Sequence, residues 1–114
     1  MFWVVNLLKH YVYILQCSDG TFYTGYTNNL GKRIHEHNLG GSEGAKYTRS
    51  RRPCVLVYHE EFENKHDALS REYFIKHNMN REEKLKLISS YFNGGAQQKI
   101  IEQNQKTMYD NNAV

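Results

Sequence analysis

At 114 residues, with 39% hydrophobic and 24% charged side chains, the chain has room for one domain and not for two independent cores. A mean hydropathy of −0.76, with no apolar run near the ~20 residues of a membrane span, argues against a membrane role. The net charge of +3 is too small to mark a nucleic-acid binder by itself, so the placement of charge matters more than its sum.

The opening stretch MFWVVNLL is short and has neither a basic leader nor a small-residue cleavage site. Residues 1–9 are therefore expected to be an N-terminal extension, as an extra strand or an adherent terminus, and not a signal peptide. Segment 11–16, YVYILQ, is rich in β-branched and aromatic residues and stops at the turn signal SDG; 22–27, FYTGYT, reads as its partner strand. NNLGKRIHEHNLGG offers an Asn cap, Leu30 and Ile34 at helical spacing, and a glycine stop, which predicts a helix over about 29–39. Residues 40–53 predict a long exposed loop, within which KYTRSRR places Lys46, Arg49, Arg51 and Arg52 without an intervening acid. CVLVYHEEF reads as a buried third strand, continuously apolar at Val55 to Tyr58. Asn64 caps a helix to about 77, a further helix runs to about 92, and 93–114 form a Gln/Asn-rich polar tail with the makings of a short helix. The order β-β-α-β-α-α describes an α/β sandwich built on a small sheet. Cys17 and Cys54 lack any C-x-x-C spacing, so two free buried thiols in a cytoplasmic protein are expected.

Several residues invite a chemical reading. With Ala68 at zero and about 100° per residue, Ile75 falls near 340°, Leu69 near 100° and Glu72 near 40°, inside the apolar arc. Such a carboxylate either pairs with a structural arginine, or lies on an arc shallower than this placement gives, or serves as a metal ligand or acid/base. Arg33 and His37, at i and i+4, flank the Leu30/Ile34 stripe and can lean over one edge of it. Tyr13 and Tyr23 share a sheet face only if the hairpin loop is Ser18-Asp19-Gly20; a two-residue Asp19-Gly20 turn would pair Tyr13 with Tyr26 and send Tyr23 to the other face. Tyr11 shares the parity of Tyr13 and reads as packing. Gly25 within a strand suggests close approach by another backbone or a ligand.

From about residue 10 to 92, about 70% of the chain, the sequence resembles the GIY-YIG nuclease superfamily, particularly its small stand-alone bacterial members. The resemblance runs through YVY at 11–13, YTG at 23–25, R-x-x-x-H-N from Arg33, GAKYTR at 44–49 and REYFIK at 71–76. It implies an α+β fold with a small, mainly antiparallel three-stranded central sheet flanked by helices. It also implies metal-dependent hydrolysis of phosphodiester bonds in DNA, with Mg2+ or Mn2+ as cofactor. By position, Glu72 is implied as metal ligand, Tyr13 and Tyr23 as the paired tyrosines, and Arg33 as the residue stabilising the phosphate, with His37 beside it as a further catalytic position. A phenol with an ordinary pKa near 10 needs help from the metal's water or from Arg33 to act as base near pH 7. Which tyrosine takes the proton stays open, with Tyr13 preferred. Lys46, Arg49, Arg51 and Arg52 would hold flanking phosphates.

The first motif reads Tyr-Val-Tyr in place of Gly-Ile-Tyr, and Lys84 stands where many larger members carry an asparagine. No appended DNA-binding domain is expected. The expected activity is therefore a weakly specific endonuclease acting on DNA, with branched, nicked and single-stranded forms as candidate substrates. The alternative is a nucleic-acid binding module with little or no catalysis, acting with a protein partner.

Overall fold

The computed structural model describes residues 8–93. The expectations for the N-terminal extension and the polar tail fall on residues 1–7 and 94–114, outside the described residues. Among the described residues, no helix is long and apolar enough to cross a membrane.

Strands β1 (His10–Gln16), β2 (Phe22–Thr27) and β3 (Val55–Phe62) form one antiparallel sheet in the order β2-β1-β3. Alternation along the central strand sends Val12 and Ile14 to one face and Tyr13 and Leu15 to the other, and all four are buried. The first face packs with Tyr58 against Ala68 and Ile75 of α3 (Lys65–Asn78) and Ile88 of α4 (Arg81–Tyr91). The second packs with Leu56 against Ile34 of α1 (Leu30–Leu39). Helices thus cover both faces, each fully buried aliphatic side chain contributing about 1.5–3 kcal/mol of transfer free energy.

The pairing of β3 is irregular: Ile14 opposes Tyr58 whereas Leu15 opposes Leu56, so Val57 is the extra residue of a β-bulge. The bulge puts Val57 and Tyr58 together in the Val12/Ile14 core and Leu56 in the Tyr13/Leu15 core, and because both faces are covered all three are buried.

Helix starts follow the expected chemistry. The side chains of Asn29, Asn64 and Asn80 accept from the backbone N–H groups of Lys32, Asp67 and Glu83, and Glu83 completes a capping box by accepting from the Asn80 N–H. Helix α1 stops at Gly40, whose φ of 77° suits a residue without a Cβ. Two expectations need correction. The 40–53 segment contains a one-turn helix, α2 (Lys46–Arg49), around the wholly buried Thr48. Its buried threonine donates to the Ala45 carbonyl within the turn and accepts from His37 Nδ1, eleven positions earlier. The apolar arc of α3 is also narrower than drawn, because Leu69 is exposed while Ala68 and Ile75 are buried.

The hairpin loop decides the register on which the two tyrosines depend. The Cys17 N–H donates to the Thr21 carbonyl at 2.8 Å and the Gly20 N–H to the Cys17 carbonyl at 2.9 Å, leaving Ser18, Asp19 and Gly20 as a three-residue loop. Gly20 takes a φ of 84°, and Asp19 is held from two sides, by the Thr21 N–H and hydroxyl and by Arg51 Nε at 3.0 Å. Tyr13 therefore opposes Gly25 and Leu15 opposes Tyr23, which places both tyrosines on the α1 face.

Candidate functional site

Tyr13 lies across the position that a Cβ on Gly25 would occupy, so its phenol oxygen and ring carbons would overlap any side chain there. The close approach expected at Gly25 is thus made by the ring of its own cross-strand partner and not by another backbone. The Tyr13 ring centroid lies 6.4 Å from that of Tyr23 and 5.9 Å from that of His37, and Tyr23 and His37 are 5.1 Å apart. Helix α1 supplies His37 one turn after Arg33, next to the buried Ile34 that anchors the helix to the sheet.

A chain of hydrogen bonds runs inward from Tyr13. Its hydroxyl lies 2.8 Å from His37 Nε2, and His37 Nδ1 lies 2.8 Å from Thr48 Oγ1. The single hydroxyl proton of Thr48 is committed to the Ala45 carbonyl at 3.0 Å, so its oxygen accepts from His37 Nδ1–H. That assigns Nε2 as the acceptor and Tyr13 O–H as the donor. His37 is fully buried, and this burial with the nearby Arg33 charge holds its pKa down to about 4, so it rests neutral. Desolvation pushes the Tyr13 phenol well above its ordinary value, with the Tyr23 charge adding to the rise and the Arg33 guanidinium opposing it. Tyr23 is also raised by burial, again opposed by Arg33. Arg33 itself is partly buried and donates to Glu36 Oε1 at 3.0 Å and to the Glu43 carbonyl.

Glu72 sits between Ala68 and Ile75 on α3, partly buried, and its charge reaches both Tyr13 and Tyr23. Among the described residues, no hydrogen bond or ion pair engages its carboxylate. The neighbouring Arg71 donates instead to Glu60 at 3.0 Å. No arginine among the described residues pairs with Glu72, while the exposure of Leu69 narrows the arc and leaves Glu72 partly buried at its margin.

Beside Tyr23, a cleft of about 350 Å³ is lined by Phe22, Tyr23, Thr24, Tyr47, Lys76 and Lys84. Tyr47 stacks on Tyr23 with centroids 6.0 Å apart, and the Arg51 guanidinium lies 3.8 Å from the Tyr47 centroid. The four cations of the basic run differ in their commitments. Arg51 is tied to Asp19, and Arg52 donates to the carbonyls of Arg49, Asn38 and Leu39, closing the C-terminal end of α1. Lys46 and Arg49 are exposed, and among the described residues neither side chain is in a hydrogen bond or ion pair. Thr48, Tyr47, Lys76 and the reason for Gly25 escaped the sequence reading. Only the glycine gave a signal there.

A metal here would find hard oxygen donors. Among the described residues no cluster of three or more His, Cys, Asp or Glu side chains exists. A single unengaged carboxylate beside two phenols suits a divalent ion of the magnesium type, which keeps several waters and shares its remaining positions with substrate phosphate.

The GIY-YIG catalytic domain family matches residues 9–86. A UPF0213 protein of Clostridium perfringens is 62% identical over 81 residues, covering 71% of this chain and 84% of its own length. A UPF0213 protein of Staphylococcus saprophyticus is 57% identical over 81 residues, covering 71% and 95%. The solution NMR structure of a UPF0213 protein from Bacillus halodurans is 48% identical, covers 72% of this chain and 84% of that one, and gives a TM-score of 0.47. The chain belongs to the GIY-YIG family, with its catalytic domain over residues 9–86.

Proposed function

We propose that this protein is a divalent-metal-dependent endonuclease that hydrolyses phosphodiester bonds in DNA with weak sequence specificity. The observation that carries the reading is Glu72, a carboxylate with no described partner, beside two phenols and a guanidinium on the fold of a catalytic domain. Magnesium or manganese held by Glu72 would supply positive charge to the phosphoryl group and a water of lowered pKa.

The chain's own residues do the rest. Arg33, facing both phenols, donates to the non-bridging oxygens and offsets charge that grows on attack. Tyr13 accepts a proton from the attacking water while passing its own to His37 Nε2, and Nδ1–H stays on Thr48. At rest His37 is a poor acceptor, in part because Arg33 repels its cationic form. An anionic phosphodiester docked on Arg33 offsets that repulsion, so the relay becomes effective when substrate is present. Tyr23, at the cleft wall, orients the phosphate. Lys46 and Arg49 hold flanking phosphates, with Arg51 and Arg52 contributing charge from their fixed positions.

The test incubates wild type and Glu72→Ala with labelled single-stranded, duplex and branched DNA, in magnesium and in a chelator. Magnesium-dependent cleavage by wild type alone is expected. Cleavage that survives both chelation and Glu72→Ala would overturn the metal role, and retention of DNA without cleavage by either protein would establish a binding module instead.

A further inference from the structure

Lys76 and Lys84 differ from the cations of this surface that acids hold. Lys9, Lys32, Arg33, Arg51 and Arg71 each lie within an ion pair, with Glu63, Glu36, Glu36, Asp19 and Glu60. Lys76 and Lys84 converge from α3 and α4 on the same cleft, and among the described residues neither pairs with an acid. Lys84 is partly buried, where an ammonium without a counter-charge is unfavourable. Lys76 Nζ lies 5.6 Å from the Tyr23 ring centroid, so this charge borders the site described above. The cleft wall also contains Thr24, only 3% exposed, whose hydroxyl has no hydrogen-bond partner.

The aromatic walls are already engaged. Tyr47 stacks on Tyr23 and carries Arg51, and the Arg81 guanidinium lies 4.8 Å from the Phe22 centroid. The cleft therefore offers charge and hydrogen bonding more than a free stacking face. Two like charges lining a concave, partly apolar surface concentrate a field for an anion. At about 350 Å³, the cleft is at the small end of ligand-sized sites.

Resting on the nuclease reading, we propose that Lys76 and Lys84 form a phosphate seat at the β2 edge, which holds a backbone phosphodiester of the nucleic acid next to the one being cut. The sequence comparison leaves Lys84 without a role as a substitute for asparagine. The seat gives it one: it supplies charge to substrate from α4, on the cleft that Tyr23 also lines.

The experiment measures DNA retention across a salt series in a Glu72→Gln background, so that binding is read without cleavage. Each of Lys76→Ala and Lys84→Ala is expected to flatten the plot of log affinity against log salt by about 0.7–0.9, the loss of one phosphate contact, and the double variant by about twice that. Lys84→Arg keeps the charge and the slope, Lys84→Asn behaves as Lys84→Ala, and Lys86→Ala, outside the cleft, leaves both affinity and slope as in the parent. A double variant with undiminished slope and affinity overturns the seat while leaving the nuclease reading intact. A parent protein that retains no DNA at any salt overturns the nucleic-acid reading and the seat with it.

Discussion

Replacing Thr48 with valine removes one hydroxyl and keeps the shape of the side chain. His37 Nδ1–H then loses its acceptor in a site where Thr48 and His37 are both fully buried. Leaving a buried polar group unpaired costs about 1–3 kcal/mol, and for a domain of this size each kcal/mol lowers Tm by about 4–8 °C. The tautomer preference also disappears. With the proton moved to Nε2, His37 faces the Tyr13 oxygen as a donor, and the phenol proton has no acceptor. Loss of a positioned acid–base partner is worth about 10²-fold or more in cleavage rate. The assay is single-turnover cleavage beside thermal unfolding, with 15N shifts of the His37 ring reporting the tautomer. Thr48→Ser, which restores the hydroxyl, should recover both rate and stability. A Thr48→Val protein with wild-type cleavage and an unchanged Nδ1–H signal would refute the relay.

Gly25→Ala should displace the Tyr13 ring, since the new methyl would occupy its place; a loss of about 1–3 kcal/mol in urea unfolding is expected together with a large loss of cleavage, and wild-type behaviour in both contradicts the packing. His37 is neutral in the fold down to about pH 4, whereas unfolded it takes up a proton near 6.5. Stability from this group is therefore complete at pH 7 and lost as pH falls from about 6.5 to about 4, by at most about 3 kcal/mol. Unfolding of wild type and His37→Gln across that range checks it, the variant showing the shallower decline. Burial pushes the Cys54 thiol up to about 12, with the Cys17 sulfur 3.4 Å away adding to the rise, so native protein should resist alkylation that goes to completion in denaturant. Rapid labelling of the native protein would contradict the buried assignment.

Local chemistry explains what was legible in the sequence. The Asn caps at Asn29, Asn64 and Asn80 act through residues three positions on, so the helix starts could be read directly. Helical periodicity placed Glu72 close to Ala68 and Ile75, but Leu69 is exposed, so the arc is narrower and Glu72 lies partly buried at its margin. The shared face of Tyr13 and Tyr23 could be posed but not decided, because the same SDG permits two loops and the choice is made with help from Arg51, 32 positions away from Asp19. The one-turn helix at Lys46–Arg49 was hidden for a similar reason, its buried threonine being held by His37. Lys84 stood out only as a departure from a motif, and its place in the cleft depends on how α4 packs against the sheet.

Single-turnover cleavage of DNA by wild type and by Glu72→Gln at saturating magnesium tests the central claim most directly. Glutamine keeps the size of the side chain and removes only its charge, so circular dichroism and Tm should match. The reading predicts a loss of about 10³-fold or more in rate with DNA binding retained. Equal rates for the two proteins would contradict it.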